Sequence, residues 1–435
     1  MENFKSYQIY IDSGIKWIGL IPKHWKVTKY KRLFNFINGN GFPERFQGKN
    51  EGEFPFYKVS DINFRGKMIT SAINYVSLDD LKENKWNIVK PNSILTAKIG
   101  EALKKNHRKI NQKNCLIDNN MMALSLNKGS LDYYYYFLSI VDMDWYSNPG
   151  TVPSINMRNL REDNLLIPSL EEQDQIAKFL NIKVSQIDDL IVDKEKLIEL
   201  LEEKRQAIIT EAVTKGLNPN VKMKDSGVEW IGEIPEHWEM NKLKYLVYLR
   251  NEKVVENYTL PYVGLENIES KTGNYSPSLG IEEQLVEGTS SAFYSGDVLF
   301  GKLRPYLAKC FVANFKGKCT TELLVMKTKE NIILSEYLKF LLLTDIYIQV
   351  INSSTYGAKM PRANWDFISN LLIPLPNIKE QMEIIKKVKN EITTIDELRE
   401  ELKMQIEKLK EYRQSLIYEA VTGKIDVREY KKVLS

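Results

Sequence analysis

With 435 residues, 43% of them hydrophobic and 27% charged, the chain has room for two or three packed domains and carries the charge of long solvated helices. No apolar run reaches the length of a membrane span, the N-terminus lacks an apolar signal core, and Cys115, Cys310 and Cys319 have no metal-ligand spacing. Secretion, membrane spanning and a metal site are therefore not expected, and a reduced, cytoplasmic location is. The formal charge of +4 is uneven: 24 Lys and Arg against 16 Asp and Glu give residues 1–165 a charge of +8, which can draw in a polyanion, whereas the rest needs a local patch.

In chain order, the first signal is Asp12-Ser-Gly-Ile-Lys-Trp17-Ile-Gly-Leu-Ile-Pro22-Lys-His24-Trp25. A mixed stretch follows, with a β-rich run at Ser93–Lys98 and a helix predicted at Leu131–Ile140, closing on Leu165-Leu-Ile-Pro168. From Glu171 to Lys215 there is no proline or glycine, and Leu180, Val184, Ile187, Ile191, Lys194, Ile198, Leu201, Arg205, Ile208 and Ala212 step alternately by four and three. That spacing predicts one long helix with a coiled-coil seam, which needs a partner helix to cover it. Lys215–Lys224 reads as a linker, Gly216 ending the helix and Pro219 preventing its continuation.

Then the pattern repeats. Asp225-Ser-Gly-Val-Glu-Trp230-Ile-Gly-Glu-Ile-Pro235-Glu-His237-Trp238 echoes the opening, strands are predicted at Asp297–Phe300 and Leu323–Met326 and a helix at Leu334–Thr344, and Leu371-Leu-Ile-Pro374 precedes a second long helix at Lys379–Lys424. Its seam, Val388, Ile392, Ile395, Arg399, Leu402, Ile406, Leu409, Arg413, Leu416 and Ala420, overlays the first at an offset of 208, and both helices end in Glu-Ala-Val-Thr. The partner helix is thus in the same chain, and antiparallel packing is the simplest arrangement of two copies separated by a domain-sized insert. The opposed substitutions Ile191/Lys194 and Arg399/Leu402 read as register marks. Arg205 and Arg413 are expected to snorkel to the edge of the seam rather than pair with an acid such as Glu202 or Glu411. The predicted class is α+β (mixed α/β), an internal duplication with a pseudo-two-fold axis. Its parts are a first globular domain (1–168), a first spacer helix (169–215), a second domain (216–375) and a second spacer helix with a tail (376–435).

The doubled set of Trp-Ile-Gly-x-Ile-Pro-x-His-Trp, Ile-Pro, Glu-Gln (Glu172-Gln173 and Glu380-Gln381) and Glu-Ala-Val-Thr resembles the specificity subunit of type I restriction–modification enzymes over essentially the whole chain. The resemblance implies two target-recognition domains, each reading one half of a split double-stranded DNA site, on helices that act as ruler and dock. It implies two adenine-methyltransferase (modification) subunits and restriction/translocase subunits as partners. S-adenosylmethionine, ATP and Mg are expected only on those partners, and no cofactor on this chain. Because the two inserts have diverged, the target should be asymmetric.

For DNA contacts the densest basic stretch is Lys98, Lys104, Lys105, Asn106, His107, Arg108 and Lys109; its second-half counterpart holds Lys302, Arg304, Tyr306 and Lys309. The polar glycine turns ahead of each Ile-Pro add Asn148, Thr151, Asn156 and Arg158, and Ser354, Thr355, Tyr356, Lys359 and Arg362. Asn40, Arg45, Arg250 and Lys253 are weaker candidates. The same residues also suit an ordinary solvated loop. The repeated Trp and His are read as a packing device that anchors each domain to the helices. No catalytic motif is visible: Gly296–Lys302 has P-loop spacing, but Leu303 stands where Ser or Thr is required. A free-standing DNA-acting enzyme such as a nuclease, or a coiled-coil protein-interaction scaffold, are the competing readings.

Overall fold

A computed structural model describes residues 4–148, 150, 152–254, 260–277, 289–357 and 359–430. It resolves into two compact units, Met1–Asp193 with Gln405–Ser435, and Lys194–Met404, so each unit holds one globular domain and a stretch of both long helices. The first helix runs Leu170–Lys215 and the second Ile378–Val421, 46 and 44 residues, each close to 70 Å at about 1.5 Å per residue. Ser169 Oγ accepts the Glu172 amide, and Asn377 Oδ1 accepts the Glu380 amide, so each helix opens on a side-chain cap just past its Ile-Pro strand. Each is followed by a glycine in the left-handed region, Gly216 (φ +76°) and Gly423 (φ +72°).

Within each unit the helix segments run antiparallel. In the second unit Glu202 meets Arg399 and Arg205 meets Asp396, the number rising on one helix as it falls on the other, while Leu201, Ile395 and Leu402 form an apolar cluster. In the first unit Arg413 pairs with Asp188, the repeat-equivalent of the Arg205–Asp396 contact. The expectation that both arginines snorkel to the edge is corrected here. Arg205 is 1% exposed and donates to the carbonyls of Lys271 (2.9 Å) and Thr272 (3.2 Å), since a loop of the second domain closes over it; Arg413 is about a third open and is held by Asp188.

The two domains repeat one topology. The main sheet of the first has the order Phe34–Asn38, Met121–Leu126, Ser93–Ala97, Arg108–Asn111, Met68–Ile69; that of the second has Val247–Leu249, Leu323–Thr328, Val298–Gly301, Cys310–Val312. A smaller sheet in each contains a parallel pair: Phe54–Tyr57 with Leu116–Ile117, and Tyr262–Val263 with Gly317–Cys319. The helices Leu131–Ile140 and Ser335–Leu343 lie close to their predicted ranges; a further helix, Asp345–Ser353, follows the second. The three cysteines are free and buried.

The repeated sequence motifs are the bolts between domain and helices. Glu172 accepts from Trp25 Nε1 (3.3 Å) and bonds His24 Nε2 (2.8 Å); Glu380 does the same with Trp238 (3.0 Å) and His237 (2.9 Å). Gln173 and Gln381 accept the amides of Ser130 and Leu334, the N-cap residues of the two domain helices. At the other helix end, Tyr133 Oη donates to the Val421 carbonyl and Tyr337 Oη to that of Val213. Each domain therefore grips the start of one long helix and the Glu-Ala-Val-Thr end of the other. Among the described residues no helix is long and apolar enough to cross a membrane.

Candidate nucleic-acid interface

Two stretches that stand far apart in each half of the sequence are sewn into one edge by the same three backbone contacts. In the first domain the chain leaves the strand Ser93–Ala97, and Ile155 N donates to Lys98 O (3.0 Å), Gly100 N to Pro153 O (2.8 Å), with Ile99 bridged to Ser154. In the second it leaves Val298–Gly301, and Ala363 N donates to Lys302 O (2.9 Å), Arg304 N to Pro361 O (2.7 Å), with Leu303 bridged to Arg362. The first residue after each bridge has a positive φ, Gly100 at +84° and Arg304, in the left-handed helical region, at +51°. The strand-end loop and the polar turn are thus one surface in each domain.

On the first surface Lys104 and Lys105 are exposed, Lys104 leaning on Glu101 (3.1 Å), and half-buried Lys98 reaches Asn38 Oδ1 (3.4 Å). Asn148 and Arg158 are exposed; Asn156 caps the helix Met157–Glu162 by accepting the amides of Arg158 and Asn159 (3.1 Å each). Thr151 lies outside the described residues. On the second surface Arg304, Tyr306, Tyr356 and Lys359 are exposed and Lys302 is half-buried. Arg362 grips Glu322 by a fork (3.1–3.2 Å) that raises its pKa. Ser354 and Thr355 bond back to the carbonyls of Ile351 and Asn352, finishing the preceding helix.

The basic stretch 98–109 divides. Arg108 starts the strand Arg108–Asn111 and is buried, its guanidinium donating to Asn106 O (2.8 Å), Asn106 Oδ1 (2.8 Å) and Val141 O (2.6 Å); burial pushes its pKa down to about 10. Asn106, itself left-handed at φ +54°, donates to the same Val141 carbonyl. Lys109 is buried with Nζ on the carbonyls of Phe64 and Gly66, and burial lowers its pKa. His107 bonds Asn63 (2.9 Å); burial, then the charges of Lys105, Lys109 and Arg108, hold its pKa below the usual imidazole value. The structure therefore assigns Asn106, Arg108 and Lys109 to the core of the loop and leaves Lys104 and Lys105 facing out.

The remaining candidates are tethered. Asn40 is buried, exchanging two hydrogen bonds with the Asn87 backbone. Lys309 donates to Leu265 O (2.7 Å), Arg250 to Asp297 Oδ2 (2.6 Å), and Lys253 to Ser291 Oγ (3.5 Å), while exposed Arg45 lies 4.7 Å over the Phe46 ring. The candidate Arg158 lines a cationic hollow in the first domain together with Lys31 and Arg161, which the sequence does not single out, and with Phe34, Phe36 and Glu162. Hydrogen bonds from Lys29 and Lys31 hold the Glu162 carboxyl down at about 2. The run Lys29-Tyr-Lys31-Arg32 was the signal available for it. Among the described residues no cluster of His, Cys, Asp and Glu could hold a metal ion.

Comparison with known proteins adds three findings. A family model described as the type I restriction modification DNA specificity domain matches residues 22–202 and again 235–408. The chain is 26% identical to the type I restriction enzyme MjaVIII specificity subunit of Methanocaldococcus jannaschii, over 98% of this chain and 97% of that one. It is 21% identical to the EcoDI specificity subunit of Escherichia coli, over 94% and 90%. Among solved structures it resembles, with a TM-score of 0.67 and 13% identity, a chain from work on the complex assembly and conformational transition of the type I R-M system; 92% of this chain and 98% of that chain are covered.

Proposed function

The chain belongs to the type I restriction modification DNA specificity family and carries that domain twice, and from this we propose that it reads a bipartite, asymmetric DNA target, one half per domain. The observation that carries the reading is the duplicated stitch, which presents Lys98, Lys104 and Lys105 in one domain and Lys302, Arg304 and Lys359 in the other on equivalent edges. The lysines suit phosphates, and the amide and guanidinium groups beside them suit base edges. The long helices offer a stiff spacer, so two different readers imply two different half-sites across an unread gap.

Chemistry is left to partners in this reading. The chain itself is non-catalytic and binds no cofactor; two adenine-methyltransferase subunits and restriction/translocase subunits, bearing S-adenosylmethionine, ATP and Mg, join it in the cytoplasm. The test is methylation mapping in a host that expresses the full chain with its methyltransferase subunits. A gapped motif with one modified adenine in each half is expected. Methylation without sequence preference, or cutting by the purified chain alone, would replace this reading with a scaffold or a free-standing enzyme.

A further inference from the structure

Arg304 stands where the sister domain has Gly100, at the residue just past the bridge between strand-end loop and polar turn. Its backbone is left-handed (φ +51°, ψ +59°), a conformation costly for any residue with a Cβ, and the next residue is Pro305, which pushes its predecessor toward extended backbone. Glycine would remove the first of these penalties, and the sister domain does use glycine for its own positive φ at Gly100, although no atom lies within 4 Å of an added Cβ there. The side chain brings no structural return: Arg304 is exposed, and among the described residues no carboxylate, carbonyl or ring holds its guanidinium. Its backbone, by contrast, is fixed, with N donating to Pro361 O (2.7 Å) and O accepting from Leu307 N (3.0 Å), over the buried ring of Pro305. A free fork on an immobile base, flanked by exposed Tyr306 and Tyr356, is built for direction.

We propose that Arg304 is a specificity-determining residue of the second domain, its guanidinium reading the O6/N7 edge of one guanine, while Lys302 and Lys359 beside it neutralise phosphates. This deepens the reading of the chain as a bipartite DNA reader and rests on it. A phosphate contact would not need the strained site, because a flexible cation on relaxed backbone serves as well, whereas a bidentate base contact needs a fixed origin.

The experiment compares the wild-type chain, Arg304→Gly and Arg304→Lys, each assembled with the methyltransferase subunits, on a randomised DNA pool and then on the selected site across a salt series. Arg304→Gly should melt within about 2 °C of wild type, relief of strain offsetting the freer unfolded chain. It should lose preference for one G·C pair in one half of the motif by about 10–100-fold, with an unchanged salt slope. Arg304→Lys should not restore that preference. An Arg304→Gly protein that selects the unaltered motif, or that weakens on every sequence with a salt slope reduced by about one, overturns the inference while leaving the bipartite reading intact. A wild-type assembly that selects no motif overturns both.

Discussion

Two equivalent arginines show how much a residue's surroundings decide. Arg205 and Arg413 occupy the same seam position, each beside the same aspartate of its repeat, Asp396 and Asp188. Arg205 is buried under the Lys271–Thr272 loop, so its removal leaves two covered carbonyls without their donor and takes one cation from the half-buried Glu202 and Asp396. Arg205→Ala should destabilise the protein by about 3 kcal/mol, whereas Arg413→Ala, at a pair left roughly a third to a half open, should cost about 1 kcal/mol or less. Urea midpoints of the two variants measure the difference, and equal losses would refute the account. Glu172 carries a pH signature. Burial pushes its carboxyl up, but hydrogen bonds from His24, Trp25 and Ser169 outweigh burial and hold its pKa below the ordinary value of 4.5. A depressed carboxyl stabilises the fold above its unfolded pKa and loses that contribution as pH falls through the folded one. The stability gap between wild type and Glu172→Gln should therefore be full at pH 7 and shrink below about pH 4.5, as midpoints at pH 7, 5 and 4 would register.

At the scale of elements, the junction between domain and helix end is packed around glycine. A Cβ on Gly423 would lie 2.5 Å from Pro22 Cδ and 3.0 Å from the Trp25 ring, on a left-handed backbone; one on Gly19, equally left-handed, would meet nothing within 4 Å. Gly19→Ala should cost about 1 kcal/mol of backbone strain, and Gly423→Ala roughly twice that or more, since the proline and tryptophan must also shift. A thermal melt in which the two variants coincide would show that the clamp is slack. The long helices were legible because length, absent Gly and Pro, and the four-three step all agree, and so were the domain helices, where apolar clusters run long enough to fix their type. The stitch was not. Its hydrogen bonds join Lys98 to Ile155 and Lys302 to Ala363, and nothing local in either segment states its partner. For the same reason a sequence run of lysines and arginines could not reveal that Arg108 turns inward: its partner Val141 arrives from a helix end 33 residues on. Local pattern fixes periodicity; burial of a cation depends on which distant carbonyl closes over it.

For the whole molecule, the duplication has a consequence for connectivity. In the second unit the chain runs unbroken from the first helix's end at Lys215, through exposed residues 217–220, into the strand Met223–Asp225, which pairs with Glu233–Pro235. In the first unit the second helix ends at Val421, and the matching strand Tyr10–Asp12, paired with Leu20–Pro22, comes from the other end of the sequence. What is a covalent join in one unit is a non-covalent one in the other. Asp426 N donates to Lys5 O (2.7 Å), Lys5 pairs with Glu429 (2.8 Å), and Phe4 and Tyr430 both pack edge-on against the Phe179 ring, at 5.4 and 4.8 Å between centroids. Because both rings pack on Phe179, a flexible linker of about six Gly and Ser residues, with a span of roughly 13 Å, is the length chosen to join Tyr430 to Phe4. A permuted chain that begins at Pro219, crosses this linker and ends at Asn218 keeps every helix, strand and bolt of the described residues, and moves the break to exposed backbone. It should melt within a few degrees of the natural order and, assembled with the methyltransferase subunits, select the same DNA. A second permutant opened at Lys194, inside the first long helix, should instead lose cooperative folding, because it severs the element that both units share. If the Pro219 permutant fails to fold while its linker is intact, the junction at Lys5 and Asp426 is not the equivalent of the linker in the other repeat, and the chain's order would then matter to its architecture in a way the duplicated contacts do not require.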